Sequence, residues 1–204
     1  MPNVAVPVAR IQRWVDNFAA RHGETRLAVD SGALTGAAAD GSSFIAALPF
    51  EKTYAGPAEV EAFIAASAAP QDWGILLVRK GGFAIARMNG AEIADHKIGR
   101  RHVQGKTKAG GWSQQRFARR RANQASAAYE AAAEHAARIL DGLSGPLVTG
   151  GDHGGVDDVL EDRRLRPLTV AGPWLAVQDP NRAVLDQAIE DAQKVRIEVL
   201  NADG

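Results

Sequence analysis

The chain has no cysteine, which excludes disulfides, a thiol nucleophile and any zinc site built on thiolates. It has no uninterrupted apolar run approaching the ~18 residues that suggest a membrane-spanning helix. Met1 to Arg21 carries Arg10, Arg13 and Asp16 on a helical pattern, so it reads as neither a signal peptide nor a lipidation site. The expectation is a cytoplasmic protein with no membrane partner. Conventional catalytic signatures are missing too. Ser113 is followed by Gln115 where a nucleophile elbow places its second glycine. Gly105-Lys106-Thr107 ends like a phosphate-binding loop, but that motif needs glycine at position 100, which is Arg, and a helix where Ala109-Gly110-Gly111 follows. The histidines (His22, His96, His102, His135 and His153) include no i, i+4 pair suited to a metal. Asp152-His153 with Asp157 and Asp158 reads as a loop and a solvated first helical turn, where carboxylates are favoured by the helix dipole. No metal or cofactor is expected.

What is present is a soluble composition, 46% hydrophobic and 24% charged, of a size for one domain or one domain with an appendage. Lys+Arg and Asp+Glu both total 24, so the net charge names no partner. The neutrality hides a local bias. No acidic residue occurs from position 96 to 129, while the same stretch holds nine bases, leaving 15 bases against 24 acids elsewhere. One basic surface is therefore expected on an otherwise acidic body.

Periodicity outlines the elements. A helix is expected over 8–21, short strands at Arg26–Val29 and Ser43–Leu48 separated by a Gly/Ala/Asp loop, and a helix opened by Pro57. Trp73–Val78 is apolar throughout, as in a central strand covered on both faces. Phe83–Met88, the hairpin signal Asn89-Gly90 and a strand over 92–98 complete an antiparallel meander. Phe117, Arg121, Ala125, Ala128, Ala132, Ala136 and Ile139 mark one stripe of a long helix ending at Gly142. A strand at Leu147–Thr149 stopped by Gly150-Gly151, a helix over 154–163 and a strand near Leu168–Val170 should follow. Asp179-Pro180 should cap a last helix that buries Val184, Leu185, Ala188, Ile189 and Ala192. The whole reads as α/β, a mixed sheet flanked by helices. Residues 1–70 form an N-terminal region of unassigned role, expected to pack on a domain spanning 71–204.

The informative segment is 104–124. A cationic, glycine-containing loop leads into a helix that opens on an arginine run. Arg116, Arg119, Arg120 and Asn123 lie on adjacent ridges beside the Phe117 stripe. Glycines permit close backbone approach, helix N-terminal amides favour anions, and arginines make bidentate phosphate contacts. Phosphate or nucleic-acid contact is the expectation.

Gly110-Gly111-Trp112-Ser113-Gln114-Gln115-Arg116-Phe117-Ala118-Arg119-Arg120-Arg121 resembles the loop and helix start of the central domain of eukaryotic and archaeal peptide-chain release factors. The pattern there is Gly-Gly-Gln-Ser-x-x-Arg-Phe-x-Arg-x-Arg. The order of elements over roughly 72–200 is similar as well. Trp112 stands where those factors carry glutamine, and the order Gly111-Trp112-Ser113-Gln114 looks more like the release-factor-like hydrolases of ribosome quality control. No codon-reading or GTPase-binding domain is recognisable in the 204 residues, which points to stalled particles rather than stop codons.

The resemblance implies an α/β fold related to ribonuclease-H-type architecture. It implies hydrolysis of peptidyl-tRNA on the large ribosomal subunit by a positioned water, without metal or nucleotide. Gln114 would hold the water or meet the developing oxyanion, with Gln115 the competing side chain. Gly110, Gly111 and Ser113 would shape the loop, while Lys106, Lys108, Trp112, Arg116, Arg119, Arg120 and Arg121 would contact RNA. A tRNA nuclease acting near the acceptor end and a non-catalytic ribosome- or RNA-binding module remain the alternatives.

Overall fold

Ile11, Val15 and Phe18 recur on one face of a helical pattern, and helix α1 (Ile11–His22) buries all three. The computed structural model describes residues 3–100 and 128–202. They fall into two units, Met1–Ala69 with Ile189–Gly204, and Pro70–Ala188. The protein is α/β, with one antiparallel and one mixed sheet and helices flanking them, as expected. Among the described residues no helix is long and apolar enough to cross a membrane.

The first unit is built on five antiparallel strands, β1 (Asn3–Val6), β2 (Thr25–Asp30), β3 (Ala33–Ala38), β4 (Ser43–Ala47) and β9 (Val195–Leu200). Their order is β1-β9-β4-β3-β2. Helix α1 and the short α2 (Val60–Ala66) join the sheet in a core that includes Phe18, Leu34, Phe44, Phe63 and Ile197. The region expected to be a loop between two strands contains β3. Its Ala-Leu-Thr-Gly-Ala-Ala sequence has weak strand propensity. Gly36 is required there, because a Cβ would stand 2.2 Å from the Phe44 ring. A 3-10 turn, Val8–Arg10, occupies the start expected for the first helix. Helix α2 begins at Val60, with Glu59 as its extended N-cap, rather than at Pro57.

The second unit carries the meander β5 (Asp72–Arg79), β6 (Gly82–Asn89) and β7 (Glu92–Arg100). β8 (Leu147–Gly151) joins parallel to β5, giving the order β7-β6-β5-β8. All residues from Trp73 to Val78 are buried. Helix α3, described over 128–139, packs Ala132, Ala136 and Ile139 against Leu76, Val78, Phe83 and Ile85. Alanine at these positions lets the helix lie close to the sheet. Helix α4 (His153–Leu160) adds Val156 and Val159 to the same core. Phe117, Arg121 and Ala125 of the expected helical stripe lie outside the described residues.

Three expectations here need correction. β8 does not stop before Gly150-Gly151 but runs through Gly151. Cβ atoms there would come within 2.3 Å of the Leu175 carbonyl and 2.2 Å of the Val78 carbonyl, so the glycines serve close backbone packing. Leu168–Val170 is no strand; Val170 makes one isolated bridge to Leu147, and Leu175 another to Gly150. Helix α5 (Arg182–Ala192) is capped by Asn181, whose Oδ1 accepts the Val184 amide at 3.1 Å, and Val184 is half-buried.

At the end of the sheet where β5 begins, Asp72 gathers several donors. Arg87 donates from Nε at 2.9 Å and from Nη2 at 3.1 Å, and Ser144 donates from its amide and hydroxyl at 2.9 Å each. Arg87 Nη1 also donates to the Asp141 carbonyl just after α3. Burial works to raise the Asp72 carboxyl, but the hydrogen bonds from Arg87 and Ser144 outweigh it and hold the group below the usual range. Such a carboxylate contributes stability that is fully present above its unfolded value of about 3.9 and is lost as pH falls through the lower folded value. Asp72→Asn should therefore cost about 2 kcal/mol in urea unfolding at neutral pH. The gap to the parent should close in that acid window, and a gap unchanged by acid would contradict the assignment.

Candidate functional site

Each side chain that the motif reading assigns to catalysis or RNA contact lies outside the described residues: Gly110, Gly111, Ser113, Gln114 and Gln115, with Lys106, Lys108, Trp112, Arg116, Arg119, Arg120 and Arg121. What the structure provides is the frame from which that segment departs and to which it returns. The departure point is Arg100, at the end of β7, paired with Gly82. Gly82 in turn pairs with Arg79 at the end of β5, and the neighbouring Val78 pairs with Gly151 at the end of β8. The return point is α3, whose Tyr129 ring lies against Gly155, where a Cβ would meet both Tyr129 and Val78 at 3.1 Å. Both roots thus stand at one edge of the mixed sheet, where the parallel strands β5 and β8 end. In open α/β sheets the carboxyl ends of strands are where ligand sites form.

Local sequence explains this convergence. Lys80-Gly81 is a two-residue turn between Arg79 and Gly82, so β6 starts at the rim where β5 stops. Gly151 has φ +103°, a left-handed value suited to glycine, and turns β8 toward Asp152 and α4. At the other end Gly145 backs onto Asp72, whose carbonyl oxygen would lie 1.7 Å from any Cβ. That contact fixes the return from α3 into β8.

The rim carries both signs of charge. Lys80, Lys97 and Arg100 are exposed. The Asp179 carboxylate lies over Gly81, with Oδ2 2.8 Å from where a Cβ would be. The exposed His153 ring stacks on Trp174, centroids 3.5 Å apart and planes 10° from parallel. Burial pushes the Tyr129 phenol up, and the charges of Asp152 and Asp158 add to the effect. Lower on α3, Arg138 pairs with Asp95 of β7 at 3.0 Å. Arg164 spans Glu134 of α3 and Asp162 after α4, at 2.8 and 2.7 Å. Its hydrogen bonds hold the Glu134 carboxyl below its ordinary value and lower Asp162 to about 2. These ties fasten α3, the element carrying the returning chain, to β7 and to the segment after α4.

Among the described residues no three metal-ligating side chains converge. Asp152 and His153, read from the sequence as a loop leading into a helical turn, sit at the rim, with His153 engaged by Trp174. The stack has no signal in the sequence. Its partners are 21 residues apart in the chain, and the bridges of Val170 and Leu175 to β8, with the packing of Leu168 and Trp174 on the core, bring the Trp174 segment alongside.

The family described as "acVLRF1: Actinobacteria/chloroflexi VLRF1 release factor" matches residues 71–198. A search of curated proteins found no match. The matched span is more than half of the chain and takes in the whole mixed sheet, both roots at its rim and the glycine-rich segment between them. By that match, the chain belongs to the actinobacterial and chloroflexi VLRF1 release-factor family.

Proposed function

We propose that the protein hydrolyses peptidyl-tRNA on the large ribosomal subunit and so frees stalled nascent chains, using the loop that carries Gln114. The observation that carries this reading is the release-factor match over 71–198, which includes Gly110-Gly111-Trp112-Ser113-Gln114 inside a stretch devoid of acidic residues. The likeness of that loop to the central domain of eukaryotic and archaeal release factors, and the Gly-x-Ser-Gln order, support the quality-control reading over codon-directed termination.

The chemistry asks little of the protein. Water attacks the ester carbonyl, the bond from the acyl carbon to the terminal ribose oxygen breaks, and the proton lost by water ends on the ribose hydroxyl. The Gln114 amide has two N–H donors and an acceptor oxygen, so it can hold the water and face the developing oxyanion. Gly110 and Gly111 admit the loop to a narrow RNA cavity, and Ser113 precedes the amide. Lys106, Lys108, Arg116, Arg119, Arg120 and Arg121 meet ribosomal or tRNA phosphates, with Trp112 against a base. The described chain on either side of the segment, β7 and α3, is packed into one sheet and its core, rigid elements of the kind on which a positioned catalytic group is best carried.

Purified protein incubated with stalled large-subunit complexes, with peptide and tRNA resolved on one gel, tests the reaction. Peptide should be released with the tRNA 3′ end intact; shortened tRNA would mean nuclease action instead. Gln114→Ala should retain ribosome binding and lose about 100- to 1000-fold in release rate, the range for one oxyanion-type contact. Gln115→Ala should be milder. Full activity of both variants and of the double variant would rule out glutamine-dependent hydrolysis.

Salt dependence tests the phosphate contacts separately. Replacing Arg119 and Arg120 by Ala should weaken ribosome binding and flatten its salt slope by roughly 0.7–0.9 for each phosphate no longer neutralised, with little change in thermal midpoint. An unchanged slope would place those side chains in solvent.

A further inference from the structure

The proposed hydrolysis assigns no role to the first unit, and one side of it carries a groove. Arg10, Trp14, Asn17 and Arg21 follow one another at intervals of three and four, with Arg13 three after Arg10 and four before Asn17, forming a single stripe along α1 and the turn before it. The stripe faces the edge strand β1. A groove of about 550 Å³ lies between Ala5, Val6 and Pro7 on one side and Arg10, Arg13 and Trp14 on the other. A second hollow of about 330 Å³ shares Trp14 and Asn17 with it and extends to Val4, Arg21 and Asn201.

Neither hollow has an acidic residue in its walls. Arg10, Arg13 and Arg21 are exposed, and among the described residues none of them forms an ion pair. By contrast Arg87, Arg138, Arg164 and Arg182 each hold a carboxylate. The one acid on α1, Asp16, accepts a hydrogen bond from Gln12 at 2.9 Å and lines neither hollow. His22, at the far end, holds Asp40 at 2.8 Å. Trp14 is half-buried, stacked on Phe18 at 5.7 Å and edge-on to Phe44 at 5.2 Å, so its indole is fixed where it lines the groove. The row of guanidinium groups spans about 16 Å at a rise of about 1.5 Å per residue.

We propose that this groove binds an RNA strand, with Arg10, Arg13 and Arg21 on its phosphates and Trp14 against a base. Unneutralised arginines beside a fixed aromatic plane supply the two interactions by which single-stranded nucleic acid is held without sequence readout. Guanidinium groups match phosphate oxygens bidentately. An acidic peptide would use the charges but leave the indole without a stacking partner. The groove is separate from the Gln114 loop in sequence and requires no catalytic competence, so the protein would grip RNA through two distinct surfaces.

The test uses the full chain and a fluorescent uridine oligonucleotide, titrated across a salt series and photocrosslinked. In the parent, crosslinks should map to residues 4–22. With Arg10, Arg13 and Arg21 all replaced by Gln, those crosslinks should vanish. The slope of log affinity against log salt should flatten by roughly 0.7 per phosphate, about 2 in all. Arg13→Gln alone, exposed in mid-helix, should flatten it by about 0.7 and guards against misfolding of the triple variant. Gln114→Ala should keep the parental slope, so failure of the catalytic reading and failure of this one are distinguishable. A parental slope in both arginine variants would overturn the proposal. Displacement of the RNA from this groove by polyglutamate at equal charge concentration would overturn it in favour of an acidic polypeptide.

Discussion

Strand β5 is hydrogen-bonded to β6 on one side and to β8 on the other and is buried along Trp73–Val78, and the frame of the candidate site is arranged around it. Its antiparallel neighbour sends the chain back and forth to the edge at Arg100, and its parallel neighbour ends at Gly151 beside the same rim. Parallel pairing of β5 and β8 demands a crossover. Helix α3 supplies its described part, lying on Leu76 and Val78 through alanines small enough to permit close approach.

The arginines divide by task. Arg87, Arg138 and Arg164 are absorbed by carboxylates and carbonyls and act as internal ties, the first between the start of β5 and the end of α3, the others between α3 and its neighbours. Those on the α1 stripe are left to solvent. A charge count of zero says nothing of this division, since pairing is decided by which elements the fold brings together. The exposed ties add little energy individually, as surface pairs do, but Arg87 and Asp72 are each about 70% covered, Asp72 accepts from two further donors on Ser144, and Arg87 donates on to the carbonyls of Asp141 and Gly142.

Much of the frame could be read in the sequence. The unbroken run Trp73–Val78, the Asn89-Gly90 signal and the alanine stripe from Ala128 to Ile139 are local patterns, and the structure has a strand, a hairpin turning at Gly90-Ala91 and a helix there. β3 was hidden because alanine and glycine advertise no strand; its Gly36 is there for the Phe44 ring, a partner eight residues on. β9 has a visible alternation, Val-Arg-Ile-Glu-Val-Leu, but its placement between β1 and β4 is a long-range fact that no local pattern states. The Gly150-Gly151 pair reads as a stop, yet it is a continuation, since the constraint comes from the carbonyls of Val78 and Leu175. The motif residues lie outside the described residues, while the rim beside Arg100 and α3, with Tyr129, His153 and Trp174, is assembled from segments that tertiary structure unites.

The position of β9 has a consequence for how the protein comes into being. β1 pairs with β9 at Asn3 to Val6, and β4 meets β1 only through β9. During synthesis, therefore, the earliest strand has no partner in the sheet until the codons for 195–200 have been translated. The meander β2-β3-β4 and the entire second unit can form first, while β4 waits with an open edge and β1 remains unzipped. Closure of the first unit is thus a late event, because β1 and β9 stand nearly two hundred residues apart in the chain. A chain interrupted before residue 195 would keep the frame for its loop yet lack the strand that completes the first sheet, so an interrupted nascent copy differs from a finished one in its unsealed sheet edges.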